Sequence, residues 1–443
     1  MSLNVQHLEN EIIDQYLYDE NPDRPWIIGF SGGKDSTMLL QIVWNALRKI
    51  EPSLLSRQIY VVCNDTLVEN PRIVRFINHT LKKIQQAANE QQIPLIVAQT
   101  VPKLEDTFWV KLIGLGYPAP NKVHRWCTDR LKIDPTTRFI LDKVDENGEA
   151  IILLGTRSAE STNRAAQIKR NEVKNQRLRK HILRNAYVFA PIKDVTTKEV
   201  WQYLNQVSPP WGGTHKELVT LYRNANAGDC PLVIDDTTPS CGNSRFGCWV
   251  CTVVNKDKSM EGLIENGEEW MEPLSEIRNF LVEARENPER YREKRRRNGS
   301  ISDDKWGPYS FETRIEILAR ILEAQKEIQA IENIELITHQ EMVLIQYYWY
   351  RDNHFHTKVS DIYNNVYKRN LNMSRHHKNT KKETDLLYSS CQEEPKDVGL
   401  IQDLLALQKT KTLMIKKRGL QADIESRIDL FVEENQQKGE VYK

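Results

Sequence analysis

The stretch Arg24-Pro-Trp-Ile-Ile-Gly-Phe-Ser-Gly-Gly-Lys-Asp-Ser36 decides the fold of this chain. Its apolar run from Trp26 to Phe30 breaks at two glycines, and apolar residues return at helical spacing from Lys34 to Lys49 as Met38, Leu39, Ile42, Val43 and Leu47. The pattern reads as strand, glycine turn, helix. Glycines let backbone N–H groups close on an anion, and a helix N-terminus adds a favourable dipole. With two hydroxyls and one ammonium, Ser31, Gly32, Gly33, Lys34, Asp35 and Ser36 have the makings of a phosphate cradle. It is not a Walker A loop. Ile28 stands where the first glycine is required, and Asp35 follows the lysine where a magnesium-holding hydroxyl is required.

On either side the same alternation continues. Arg57–Asn64, Ile93–Ala98, Ala150–Gly155 and Tyr187–Ile192 read as further strands, with a helix over Asn70–Gln91. Continuous apolar strands separated by helices predict an α/β fold, a parallel sheet covered on both faces with its ligand in the crevice at the carboxyl ends of the strands. A chain of 443 residues exceeds one ordinary core. Three regions are expected: a nucleotide domain over 1–205, a cysteine-rich segment over 206–310, and a helical C-terminal region over 311–443. Hydrophobic residues at 40% and charged residues at 28% exclude a disordered or fibrous chain. No apolar run of about 18 residues occurs and the start is acidic and amphipathic, so no membrane association and a cytoplasmic location are expected.

Of the 7 cysteines, Cys230, Cys241, Cys248 and Cys251 lie close together among Gly and Pro. In a reducing compartment such a quartet points to a metal more than to disulfides. Four thiolates suit a tetrahedral zinc site or a [4Fe–4S] cluster, and spacing does not choose between them.

The hexapeptide after an apolar strand resembles the PP-loop of the ATP pyrophosphatases, the superfamily of phosphoadenylyl-sulfate reductases, GMP synthetase and tRNA thiolation enzymes. The resemblance implies an adenine nucleotide alpha-hydrolase (HUP-like) fold that binds ATP with Mg²⁺ and cleaves between the α and β phosphates. Asn64–Pro71, Trp126–Pro135 and Gly155–Ser161 with Arg164 resemble the sulfate-reductase branch. They add Asp65, Arg130, Lys132, Gly155, Arg157, Glu160 and Arg164 to the expected ATP and pyrophosphate ligands, with Arg125 and Glu69 as further candidates. Lys34 and Asp35 are the expected catalytic pair, on an exposed loop. Cys127 is a candidate sulfur-handling thiol, set against an ordinary buried cysteine. The cysteine quartet and helical extension resemble the DndC family of bacterial DNA phosphorothioation systems, with the SspD family of the single-strand variant close behind. That resemblance implies a [4Fe–4S] cluster on the quartet. It also implies a cysteine desulfurase as sulfur donor and other components of the modification complex as partners.

DNA is the partner that the charge distribution bears on. Lys plus Arg is 62 against 61 Asp plus Glu, yet 161–185 holds Arg164, Lys169, Arg170, Lys174, Arg177, Arg179, Lys180 and Arg184 against the single acid Glu172. Phosphate contacts are expected at Lys169, Arg170, Lys174, Arg177, Arg179 and Lys180, with Arg290–Arg297 and Lys368–Lys382 as lesser clusters. The alternatives are a phosphoadenylyl-sulfate reductase, a tRNA thiolation enzyme and, from another class, a non-catalytic ATP-binding adaptor. The helical extension and basic segment count against the first, and the intact hexapeptide against the last.

Overall fold

The computed structural model describes residues 3–160, 162–171, 176–224, 247–254, 256–294, 306–352, 354, 357–370, 386–391, 395–412, 424–425, 427–429 and 432. By contacts the chain divides into two compact units, Met1–Lys103 with Pro120–Asn279, and Leu104–Ala119 with Phe280–Lys443.

The first unit is built on a six-stranded sheet. Its strands are β1 (Trp26–Gly29), β2 (Ile59–Asn64), β3 (Leu95–Thr100), β4 (Ala150–Leu153), β5 (Arg179–Lys180) and β6 (Ala186–Phe189), in the order β3-β2-β1-β4-β6-β5. All neighbours run parallel except β5, which pairs antiparallel with β6. Central β1 registers Ile28 against Val61 on one side and Leu153 on the other. Successive residues of a strand point to opposite faces, and the core divides accordingly. Trp26 and Ile28 join a large apolar cluster with helices α1 (Val5–Leu17), α2 (Lys34–Leu47), α3 (Pro71–Glu90), α6 (Thr197–Gln206) and α7 (Lys216–Asn224). Ile27 joins a smaller one with Ile140 and Val144 of α4 (Asp134–Asn147). Helix α5 (Thr162–Asn171) follows β4 and α8 (Lys258–Glu265) follows α7, while α9 (Glu272–Glu286) begins in the first unit and ends in the second.

Local chemistry sets the helix ends. Asn70 caps α3 by accepting from the Arg72 amide at 3.0 Å, ahead of Pro71 at the first helical position. Thr196 and Glu199 form a reciprocal capping box on α6. Gly148, at φ +81°, closes α4 where a side chain would be strained. Arg57, expected to begin a strand, instead lies below β2 as a buried hub. Its Nη1 donates to Asp19 Oδ2 at 2.9 Å and to the Arg24 carbonyl at 2.8 Å, while Arg24 Nε meets the same carboxylate at 2.9 Å.

In the second unit, residues 104–119, which the sequence reading left inside the 1–205 domain, pack with C-terminal helices. Trp109 Nε1 donates to the Leu336 carbonyl and Trp349 Nε1 to the Ile113 carbonyl, both at 2.8 Å. The helices are α10 (Pro288–Tyr291), α11 (Phe311–Gln329), α12 (His339–Arg351), α13 (Val359–Tyr367) and α14 (Pro395–Thr412). The aromatic run Tyr347 to Tyr350 belongs to α12, with Tyr347, Trp349 and Tyr350 buried as core. Among the described residues, no helix is long and apolar enough to cross a membrane.

Candidate functional site

The cradle lies between β1 and α2, at the carboxyl end of the central strand. Gly32 takes φ +72°, and an added Cβ there would come within 2.7 Å of Ile77, so only glycine fits. The Ser31 amide donates to Ser36 Oγ at 3.2 Å, the Ser36 hydroxyl donates to the Gly33 carbonyl at 3.0 Å, and the Gly33 amide reaches Ser31 Oγ at 3.5 Å. Both serines thus shape the loop from within. Gly155, just beyond β4, presses on the first turn of α2: a Cβ there would sit 3.0 Å from the Asp35 carbonyl oxygen.

Lys34 and Asp35 do not stand on an exposed loop. They form the first turn of α2, with side chains only 14% and 21% exposed. Lys34 Nζ lies 2.9 Å from Asp35 Oδ2, and Arg157 Nε lies 2.7 Å from Asp35 Oδ1. Arg157 is buried and also donates to the Val195 carbonyl at 3.0 Å and towards Thr197 Oγ1. The sequence reading took Arg157 for a phosphate ligand; its guanidinium is directed to Asp35 and the α6 entrance, orienting the carboxylate at the cradle. The side chains of Glu160 and Arg164 lie outside the described residues.

The expected ligands at the end of β2 gather around thiols. Asp65 Oδ1 accepts from the Leu67 amide at 2.8 Å, a turn that puts Leu67 at φ +64°. Thr66 Oγ1 is 3.3 Å from Cys248 Sγ, Glu69 bridges antiparallel to Cys248, and the Trp249 amide donates to the Val68 carbonyl at 3.1 Å. The Cys251 amide donates to the Cys248 carbonyl at 3.1 Å, putting both thiols on one turn. Asn64, at the end of β2, donates to the Leu131 carbonyl at 2.9 Å and so ties in the π-helical turn Thr128–Ile133. Cys127 immediately precedes that turn and Lys132 lies within it. The Lys132 ammonium is held above its usual range, first by Cys248 and then, against burial, by Glu69, Cys127 and Cys251. Burial pushes Cys248 up to about 11 and Glu69 to about 7, while Lys132 opposes both shifts; burial and then Cys251 raise Cys127. Lys132, expected to bind phosphate, is exposed and lies near Glu69, Cys127, Cys248 and Cys251. Arg130 is exposed and faces Asp134 at 3.4 Å.

Thiols beside an ammonium are the right donor chemistry for a soft metal centre. Cys230 and Cys241 lie outside the described residues. Among those described, no group of three His, Cys, Asp or Glu is placed to hold a metal ion.

The basic segment forms one wall of a cavity of about 870 Å³ beside β6, lined by Lys169, Arg177, Arg179 and Lys193 together with Glu11 and Asp194. Burial lowers the pKa of Arg179. Arg177 is not left without an acid, because Asp14 on α1 lies 2.7 Å away. Lys169, Arg170 and Lys180 are exposed, and Lys174 lies outside the described residues. In the second unit, Arg292 is bonded to the Gly307 and Trp306 carbonyls at 2.7 and 2.8 Å.

One participant gave no sequence signal. The Lys34 amide donates to Tyr222 Oη at 3.2 Å, from a tyrosine on α7 that lies 188 residues downstream. Nothing in the periodicity of α7 distinguishes that tyrosine from its other core residues.

The phosphoadenosine phosphosulfate reductase domain family matches residues 25–254. An uncharacterized protein of Methanocaldococcus jannaschii is 29% identical over 237 residues, covering 52% of this chain and 37% of its own length. The chain thus spans little more than a third of that curated relative. Phosphoadenylyl-sulfate reductase from Candida auris, in a phosphate complex, matches with 13% identity and a TM-score of 0.26 over 46% of this chain and 87% of its own. U34-tRNA thiolase from Methanococcus maripaludis, with its [4Fe–4S] cluster, matches with 14% identity and a TM-score of 0.31 over 63% and 80%.

Proposed function

This chain belongs to the phosphoadenosine phosphosulfate reductase domain family, and from that premise we propose that it is an ATP pyrophosphatase of a bacterial DNA phosphorothioation system. The observation that carries the nucleotide half of the reading is the Ser31–Ser36 loop at the carboxyl end of β1, with Asp35 oriented by the buried Arg157. ATP lies with its β and γ phosphates on the loop amides and Lys34. A non-bridging oxygen of the DNA phosphate attacks the α phosphorus, and the α–β bond breaks to release pyrophosphate. The outer sulfur of a cysteine desulfurase persulfide then attacks the DNA phosphorus and AMP leaves with the original oxygen; a thiol reductant cleaves the remaining S–S bond, leaving the phosphorothioate and a disulfide. Lys34 and the loop donors stabilise the charge that develops on the departing pyrophosphate, a contribution that preorganised donors make at little reorganisation cost. Mg²⁺, when bound, would neutralise phosphate charge, and Asp65 at the end of β2 is a carboxylate that suits it.

The DNA half rests on Lys169, Arg179 and Lys193 of the cavity wall, in the same unit as the loop. The [4Fe–4S] cluster is assigned to Cys230, Cys241, Cys248 and Cys251. Its support is that the last two share one turn beside the Lys132 ammonium.

Product analysis tests the reading. Purified protein incubated with MgATP and DNA should form AMP and pyrophosphate in equal amounts. Formation of ADP and phosphate, or no turnover, would overturn the activity, and stimulation by tRNA but not DNA would move it to tRNA thiolation.

A further inference from the structure

Three of the cradle's amides are engaged by hydroxyls. Two belong to the loop itself, Ser36 Oγ on the Ser31 amide and Ser31 Oγ on the Gly33 amide. The third comes from outside, Tyr222 Oη on the Lys34 amide at 3.2 Å. Its fit is close. A Cβ added at Gly33 would lie 3.2 Å from that hydroxyl, and Lys34 Nζ stands 5.7 Å from the ring centroid. The ring is buried and packs edge-on against Trp201, centroids 4.9 Å apart at 83°. A phenol oxygen held there by packing presents a neutral acceptor to an amide at a helix N-terminus, the kind of donor that binds a phosphate oxygen.

We propose that Tyr222 is a built-in competitor for the phosphate site: its hydroxyl holds the Lys34 amide in the resting chain, and a bound pyrophosphate group takes that amide by displacing it. The competition sets the affinity of the loop. It keeps the amide satisfied when no anion is bound, and it demands that a ligand outbid a neutral hydrogen bond. That cost is common to every anion that takes the amide, so orthophosphate and a polyphosphate chain are weakened by the same factor. Tyr222 thereby tunes the affinity of the loop for any anion that takes the Lys34 amide. This rests on the nucleotide reading of the loop.

The test is calorimetric binding of inorganic pyrophosphate, orthophosphate and MgATP to wild-type full-length protein and Tyr222→Phe. Phenylalanine keeps the ring on Trp201 and removes only the oxygen. The expected result is a Kd for pyrophosphate and MgATP about three- to tenfold lower in the variant, the ratio implied by losing one net neutral hydrogen bond from the competing state. Orthophosphate should tighten by the same factor, because each anion that takes the Lys34 amide displaces the same hydroxyl. Tightening is not what structural damage produces, so the sign separates competition from packing. Weaker binding by Tyr222→Phe would make the phenol a ligand of the anion, and equal binding would make it packing alone; either overturns the inference while leaving the nucleotide reading intact. If wild type and variant both bind neither pyrophosphate nor MgATP, the nucleotide reading fails and the inference falls with it.

Discussion

Asp35 and Arg157, 122 residues apart in sequence, meet at 2.7 Å between Oδ1 and Nε. One stands on the first turn of the helix after β1, the other in the turn after β4, and the adjacency of those two strands makes the contact. The arginine is buried, and its Nη1 also holds the Val195 carbonyl, so the pair fastens the cradle to the loop before α6 while it aims the carboxylate.

Asp35→Asn should therefore cost stability as well as turnover. Removing one partner of a hydrogen-bonded buried pair leaves the other charge uncompensated, a loss of roughly 2–4 kcal/mol. Urea unfolding should show that loss, with no AMP formed. The double variant Asp35→Asn, Arg157→Met should regain part of the stability and none of the activity. Unchanged unfolding of Asp35→Asn would mean that the pair contributes nothing to the fold.

Anaerobically purified protein should be brown, with about four irons and four sulfides per chain. Cys248→Ser and Cys251→Ser should both lose the colour. A colourless protein with one zinc would exclude the iron assignment.

Reversing Arg179 and Lys180 to Glu should flatten the dependence of log DNA affinity on log salt by about two, since each phosphate contact contributes roughly 0.9. The loss should be similar for unrelated sequences, because phosphates carry no base identity. Arg177 is left out of this variant because Asp14 already neutralises it. An unchanged slope would turn this surface towards solvent or a protein.

His215 carries a pH dependence. Its Nε2 lies 2.7 Å from Gln41 Oε1, whose amide nitrogen holds the Val207 and Ser208 carbonyls, and burial lowers its pKa to about 4. The unfolded chain binds that proton near pH 6.5 and the folded chain only near 4, so stability falls as pH drops through this window. Between pH 7 and 5 the contribution is about 2 kcal/mol, and His215→Gln should lose it. Equal pH slopes for the two proteins in chemical denaturation would show that His215 titrates alike in both states.

The strand, the glycine turn and the helix at Trp26–Leu47 were legible because their signals are local. Two-residue and 3.6-residue periods, a φ that only glycine takes easily, and a helix N-terminus are all written within about twenty residues. The parallel α/β sheet followed from the same signals repeated. Residues whose partners are distant were not legible. Arg157 read as a phosphate ligand and turns to Asp35; Lys132 read the same way and stands among thiols; Tyr222 gave no sign of its place on the Lys34 amide. Each depends on which elements become neighbours, and strand order is not encoded in the period of any one strand. A buried charge or hydroxyl must find its partner wherever packing brings one, because leaving it unpaired costs more than the local sequence can offset. The sequence by itself determined the cradle and its class of fold; only the tertiary structure decided which side chains surround it.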